Sequence, residues 1–137
     1  MTDDDARRRF ASARVARLAT VTAGNDPHLV PICFAVQGDT IYSAVDAKPK
    51  TTPDLKRLHN IATHPQVSLL VDHYEDDWVN VWWVRVDGTA EVHETNAHGR
   101  DLLAAKYEQY RHSPGHLGRM VVVRATKWTS WAYTDFG

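Results

Sequence analysis

Apolar and polar residues alternate with a period of two through much of this chain, which is the pattern of half-buried β-strands. Six segments show this pattern, and short turns rich in Gly, Pro, Asn and Asp separate most of them. The predicted strands are residues 15–22, 28–36, 40–45, 66–74, 78–86 with a continuation to residue 93, and 120–128. Because the first three follow one another without a long helix, we expect an antiparallel meander rather than alternating βαβ units.

Three other segments have the periodicity of amphipathic helices. They are residues 3–12, residues 53–63 with Thr52 as the N-cap, and a segment from Thr95 or Asn96 to about Tyr110. Ala6 and Phe10 are spaced to reach a core from the first helix. We therefore predict one domain over residues 1–137 with a mainly β fold, a six-stranded antiparallel closed or split barrel with inserted helices.

The predicted strand at residues 78–86 is apolar on both of its faces. One face contains Trp78, Trp82, Val84 and Val86, and the other contains Val79, Val81 and Trp83. A barrel core covers only one face of a strand, so the second face needs another partner. We expect a symmetric second subunit to supply it.

Charge and cysteine content limit the classes of function. Sixteen Lys and Arg residues against 17 Asp and Glu residues leave a formal net charge of −1, which does not favour binding to nucleic acid. Cys33 is the only cysteine and lies in an apolar run, so we expect a buried, inert thiol in a reducing cytoplasm. No apolar stretch approaches the ~20 residues of a membrane span.

The loop after the third strand has the composition of an anion site. Lys48, Lys50, Thr51 and Thr52 precede the second helix, whose first free N–H groups would also suit a phosphate. Taken alone, these residues fit an ordinary solvated loop equally well.

Motifs of the common nucleotide-binding and hydrolytic enzymes do not occur in the sequence. It has no G-x-G-x-x-G, no G-x-x-x-x-G-K-[ST] and no G-x-S-x-G. The eight histidines show no recognisable ligand spacing, so we predict no metal site. Trp78 and Trp82, beside an acidic turn, are the preferred candidates for stacking on a planar cofactor.

Several segments together resemble the pyridoxamine 5′-phosphate oxidase-like split barrels, and in particular the small branch that uses the deazaflavin coenzyme F420. The segments that carry the resemblance are residues 18–21, 28–32, 41–43 leading to 48–50, 54–61, 64–69 and 86–90. The segment 46–53 lacks the arginine-led R-x-V-L-L-K motif of the flavin-dependent oxidases, which favours F420 over FMN.

The resemblance implies a homodimer whose cofactor sites lie at the subunit interface. The cofactor phosphate would be held by Lys48, Lys50, Thr51 and Thr52. The ring system would lie near Val30, Pro31, Ile32 and Ser43, with aromatic residues of the other subunit closing the pocket. Pro31 suits such a position independently, because proline removes a ladder donor and is confined to edge or bulge positions.

The expected function is that of an F420-dependent oxidoreductase, which transfers a hydride between reduced F420 and an unidentified small organic substrate. His73 and Tyr74 are weak candidates for a proton donor. Two alternatives stay open at this point, an FMN-dependent oxidoreductase of the same fold and a protein that carries F420 without catalysis.

Overall fold

The computed structural model describes residues 1–46, 52–113 and 117–136. Over these residues the elements are α1 Asp3–Ser12, β1 Ala16–Val21, β2 Pro27–Ile32, β3 Ala35–Gln37, β4 Thr40–Asp46, α2 Thr52–Thr63, β5 Gln66–His73, β6 Trp82–His93, α3 Ala97–Lys106, α4 Glu108–His112 and β7 Leu117–Ala132. Single 3₁₀ turns occur at Trp78–Asn80 and Tyr133–Phe136. The predicted mainly β fold with inserted helices is confirmed.

Within the described ranges, seven strands form one antiparallel sheet in the order β2-β1-β5-β6-β7-β4-β3. The predicted number of six strands is wrong, because residues 28–36 form two strands instead of one. β2 pairs with β1, whereas β3 pairs with β4. Only Cys33 and Phe34 separate these two edge strands along the chain, so the sheet curls into a barrel that is open between β2 and β3.

The two longest strands, β6 and β7, form the centre of the sheet. β6 begins at Trp82, so the predicted strand start at residue 78 is wrong. Trp78 and Val79 belong to a 3₁₀ turn that Asp77 caps through the amide of Val79. The predicted bulge at Gly88 is confirmed, since the register between β6 and β7 shifts between Asp87 and Gly88.

The core lies inside the barrel, and α1 covers part of it. Ala6 and Phe10 are buried, as predicted, and the Phe10 ring lies 5.0 Å from Phe34 and 5.4 Å from Trp128. Arg7 pairs with Asp39 at 2.7 Å and thereby fixes α1 against the turn between β3 and β4.

The predicted third helix is interrupted. Asn96 caps α3 through the amide of Gly99 at 2.8 Å, which confirms one of the two predicted starts. α3 ends at Lys106, and Tyr107 has extended backbone angles before α4 begins. Leu103 is fully buried and packs α3 into a second, smaller hydrophobic cluster that includes residues of β4 and β7.

Candidate functional site

A cavity of about 200 Å³ lies beside the break between β2 and β3. It is lined by Pro31, Ile32, Cys33, Ser43, Ala44, Arg57 and Tyr110. Three of these residues, Pro31, Ile32 and Ser43, are ones for which the sequence predicted contact with a cofactor ring. Val30, the fourth predicted contact, is not part of this lining and packs against the core instead.

Backbone and side-chain geometry bring the two walls of the cavity together. Pro31 lies on edge strand β2 opposite Arg17 of β1, so its missing N–H breaks no ladder further out in the sheet. On the facing strand β4, the Ser43 hydroxyl donates a hydrogen bond to the Cys33 carbonyl at 2.8 Å. This bond joins the two walls directly. The lone pairs of the Ser43 oxygen can still accept hydrogen bonds from other donors.

Cys33 is not the buried core thiol that the sequence predicted. It is partly exposed and lines the cavity. The preceding strand ends at Ile32, and the chain then crosses from one edge of the sheet to the other, which takes Cys33 out of the core.

Arg57 is a site residue that the sequence analysis missed. It is only 7% exposed and reaches the cavity from α2. A guanidinium stays protonated in proteins, so the cavity wall includes a permanent positive charge. One signal was available, because Arg57 precedes the buried Ile61 by four residues and therefore lies on the core side of the helix.

Side chains from the junction of α3 and α4 hold the neighbouring Phe34 in place. The Phe34 amide donates to the Tyr107 hydroxyl at 3.0 Å, and Lys106 Nζ donates to the Phe34 carbonyl at 2.9 Å. Burial and, to a smaller extent, the charge of Arg14 lower the pKa of Lys106 to about 8. Burial also raises the pKa of Tyr107, so its hydroxyl keeps its proton at neutral pH.

Most of the predicted phosphate loop lies outside the described residues. This applies to Lys48, Lys50 and Thr51, whereas Thr52 is the first residue of α2. The predicted helix start is therefore confirmed to within one residue. β4 ends at Asp46, so residues 47–51 connect two elements that both line the cavity.

The predicted aromatic contacts lie at the opposite end of the barrel. Ser43 pairs with Val121, which pairs with Val92, whereas Trp82 lies ten residues earlier on β6. At about 3.3 Å per residue, this separates Trp82 from the level of Ser43 by about 30 Å along the strand. Within one subunit, Trp82 and the adjacent Trp78 cannot contact a ring bound at Ser43.

His73 and Tyr74 also lie at this distal end. His73 stacks on Trp82 with ring centroids 6.3 Å apart, and its Nε2 lies 3.1 Å from Glu75 Oε1. Tyr74 is 65% exposed and accepts a hydrogen bond from Trp78 Nε1 at 3.4 Å. A cavity of about 390 Å³ borders His73 and Trp82.

The outer face of the sheet has an open groove of about 440 Å³. Its lining combines apolar and charged side chains, namely Arg17, Ala19, Leu29, Ser68, Leu69, Leu70, Asp72, Trp83 and Arg85. The predicted second apolar face of β6 thus contains Trp83, while Val84 and Val86 point into the core. The described residues that line this groove all belong to β1, β2, β5 and β6.

Neither a metal centre nor a membrane helix is found in the described part of the chain. No group of three or more His, Cys, Asp or Glu side chains there is arranged to hold a metal ion. No helix among these residues is long and apolar enough to cross a bilayer.

Comparison with solved structures gives close matches to the fold. A conserved hypothetical protein of Mycobacterium tuberculosis has a TM-score of 0.79 at 22% identity, covering all of this chain and 88% of the other. An FAD-binding protein of Mesorhizobium loti has a TM-score of 0.69 at 17% identity, with coverages of 95% and 92%. The heme storage protein HutZ of Vibrio cholerae has a TM-score of 0.70 at 14% identity, with coverages of 95% and 93%. At these identities the matches show a shared fold.

Comparison with protein families is more direct, although a search of curated proteins gave no match. The family described as pyridoxamine 5′-phosphate oxidase matches residues 2–132, nearly the whole chain. Together with the open seven-stranded barrel of the described residues, this match shows that the chain belongs to the pyridoxamine 5′-phosphate oxidase family.

Proposed function

We propose that this protein binds the deazaflavin coenzyme F420 in the cavity between β2, β4 and α2 and uses it as an oxidoreductase on a small organic substrate. The observation that carries this proposal is the composition of one cavity wall. Pro31, Ile32 and Ser43 come together there with the buried cation Arg57. A neighbour of the same fold is described as an FAD-binding protein, which supports a flavin-type ligand.

The residues of the cavity fit such a ligand chemically. Ile32 and Ala44 offer apolar surface to a planar ring, and Arg57 offers N–H donors to ring carbonyl or phosphate oxygens. Because the Ser43 hydroxyl donates its hydrogen bond to the Cys33 carbonyl, the Ser43 oxygen can accept a hydrogen bond from a ring N–H. When bound, reduced F420 supplies the hydride, and the protein orients the ring and excludes water.

We further propose that Lys48, Lys50, Thr51 and Thr52 hold the cofactor phosphate. Replacing Lys50 with alanine should remove a charge-assisted contact of about 1.5–3 kcal/mol and weaken cofactor binding about 10- to 150-fold. Lys56→Ala is the matched control, since Lys56 lies on the exposed side of α2. Equal affinities of the two variants by fluorescence titration would reject this role for Lys50.

We propose that the protein is a homodimer and that the second subunit covers the outer face of the sheet. This face contains Arg17, Arg85 and Asp72, so two copies related by a two-fold axis can bring opposite charges together across the contact. Leu70 lies on the same face. Arg17 of β1 pairs with Leu70 of β5 on one side and with Pro31 of β2 on the other. The cofactor cavity therefore borders the proposed interface.

The size of the cavity supports a site completed by two subunits. About 200 Å³ is below the ~300–1,000 Å³ of typical ligand pockets. A second copy could supply the missing wall, and its Trp78 and Trp82 are our candidates for closing the ring pocket. His73 and Tyr74 of that copy would approach the same site, where either could return a proton to the product.

Sedimentation equilibrium tests the dimer directly. We expect wild type to be a dimer at micromolar concentration, and Leu70→Asp to be a monomer because it puts a charge in the proposed apolar contact on both copies. Ala105→Asp, on the exposed side of α3, should remain dimeric. A monomeric wild type would contradict the two-subunit site.

Two other functions have specific support. FMN is the second candidate cofactor, because the family and the FAD-binding neighbour both point to flavins. A carrier role without catalysis is the third, because a neighbour of the same fold is a heme storage protein. We propose the cytoplasm as the location, since the one cysteine is free.

Parallel titrations with F420, FMN and hemin separate the three candidates. The leading proposal requires tighter binding of F420 than of FMN, and oxidation of reduced F420 by at least one member of a panel of electron-poor acceptors. Tight F420 binding without turnover on any acceptor would favour the carrier role. Preference for FMN would replace F420 in the proposal, and binding of hemin alone would reject it.

A further inference from the structure

The break between β2 and β3 is held by side chains in place of strand pairing. The Cys33 carbonyl accepts from Ser43 at 2.8 Å, and the Phe34 amide donates to the Tyr107 hydroxyl at 3.0 Å. The Phe34 carbonyl accepts from Lys106 at 2.9 Å and lies 3.1 Å from the Tyr107 hydroxyl. Buried backbone groups need such partners wherever a ladder ends, so these side chains determine the path of the chain beside the cavity.

Tyr107 lies behind the cavity without lining it, in contact with Phe34 and Tyr110. On one side its hydroxyl holds Phe34, the residue next to Cys33. On the other side its ring packs edge-on against Tyr110 with centroids 5.7 Å apart. Cys33 and Tyr110 both line the cavity, so a single side chain connects two separate parts of its wall.

The location of Tyr107 makes this connection stiff. It lies at the junction where α3 ends and α4 begins, and its hydroxyl also lies 3.0 Å from the Arg14 carbonyl. Lys106 donates to the Ala11 carbonyl at 2.9 Å as well as to Phe34. The same two residues thus tie the helical junction to the end of α1 and to the β2–β3 break.

We propose that Tyr107 is a positioning residue, whose hydroxyl fixes the cavity wall at Cys33 and Tyr110 and thereby sets cofactor affinity without contacting the cofactor. The effect on affinity rests on the proposed function, whereas the effect on the wall does not. Removing the hydroxyl leaves the Phe34 amide without its acceptor, and the wall must then move to find another.

Cys33 provides a test of the wall that needs no cofactor. It is the only cysteine in the chain, so its reaction with an aromatic disulfide reagent such as DTNB reports on this position alone. We expect Tyr107→Phe to raise the rate of the Cys33 reaction about threefold or more, because the wall opens locally more often. In titrations with F420 and FMN, Tyr107→Phe should bind the cofactor about 5- to 30-fold more weakly than wild type, which is equivalent to about 1–2 kcal/mol.

Two controls separate positioning from loss of stability. Thr126→Val removes a hydroxyl that donates to the Asp87 carbonyl at the β6–β7 bulge and does not line the cavity, and Val71→Ala destabilises the core of β5. Neither should change the Cys33 rate or the affinity. Lys106→Gln, which alters the donor to the Phe34 carbonyl, should act in the same direction as Tyr107→Phe and decides the matter if Tyr107→Phe does not fold.

Each outcome supports or overturns the inference. Unchanged Cys33 reactivity in a folded Tyr107→Phe variant would overturn it, and so would an equal change in Val71→Ala. If wild type binds neither F420 nor FMN, the proposed function fails, but a selective change in Cys33 reactivity still supports the positioning role. A changed rate with unchanged affinity would confine Tyr107 to the wall and reject its effect on the cofactor.

Discussion

Replacing Gly88 with alanine is expected to destabilise the protein strongly, because the β6–β7 bulge leaves no room for a side chain. A Cβ atom at this position would lie 2.3 Å from the Arg124 carbonyl oxygen and 3.2 Å from the Ala125 Cα. Both contacts are with backbone, so no side-chain rotation can relieve them. The two central strands would have to move apart at the bulge.

The size of the effect follows from these contacts. Overpacking costs about 1–3 kcal/mol, and weakening about two ladder hydrogen bonds beside the bulge adds about 1–2 kcal/mol. Alanine restricts the unfolded chain, which offsets about 0.4–1 kcal/mol. The net loss in the free energy of unfolding is about 1.5–4 kcal/mol, or a fall in Tm of about 5–15 °C for a domain of this size.

Thermal and urea unfolding of Gly88→Ala beside Gly24→Ala would measure this loss. Gly24 lies in the turn between β1 and β2, and a Cβ there would be 3.7 Å from its nearest neighbour, an ordinary contact. Gly24→Ala should therefore stay within about 0.5 kcal/mol of wild type or gain stability. If both variants have the same Tm, the steric reasoning at the bulge is refuted.

Three further perturbations test other parts of the structure. Phe10→Ala should cost about 3–5 kcal/mol in chemical denaturation, since the ring is fully buried against Phe34 and Trp128; a loss below about 1 kcal/mol would mean that α1 contributes little to the core. The Asn60 side-chain amide donates a hydrogen bond to the Thr20 hydroxyl at 3.1 Å, and both residues are buried. A double-mutant cycle of Thr20→Val and Asn60→Leu should therefore show a coupling free energy of about 1 kcal/mol. Strictly additive losses of stability in the two single variants would contradict the bond. Lys106 has a folded pKa of about 8 against 10.5 for the ordinary side chain, so the unfolded state binds the extra proton between these values. The stability of wild type relative to Lys106→Met should consequently rise from pH 8 to pH 10.5, and a falling difference would show that the charged form is favoured by folding.

Local sequence patterns were sufficient for most elements of this fold. The acidic start of α1, the cap at Asn96 and the glycine at the bulge each depend on a few neighbouring residues. The separation of β2 from β3 could not be predicted in this way, because residues 28–36 contain no break in their apolar pattern. That break is imposed by pairing with β1 on one side and β4 on the other, both of which are long-range contacts.

The candidate site was predictable where a residue's strand position determines its neighbours, and not elsewhere. Pro31, Ile32 and Ser43 share a cavity because β2 ends where β4 passes beside the break. The role of Tyr107 could not be predicted, because it depends on an interruption between α3 and α4 that helical periodicity does not show. Trp82 is far from Ser43 because the registers of β6 with β7 and of β7 with β4 set the distance, and no local pattern contains that information.

The position of β7 in the sheet has a consequence for synthesis on the ribosome. Among the described strands, the hairpin of β3 and β4 pairs with the rest of the sheet only through β7, which is the last of these seven to be made. Until β7 emerges, one edge of β4 has no strand to pair with, and the inward side chains of β4, including Ile41, lack the neighbours that β7 provides. The barrel therefore has to assemble after translation of β7, and until then the nascent chain exposes an unpaired strand edge that is open to chaperones or to a second nascent copy.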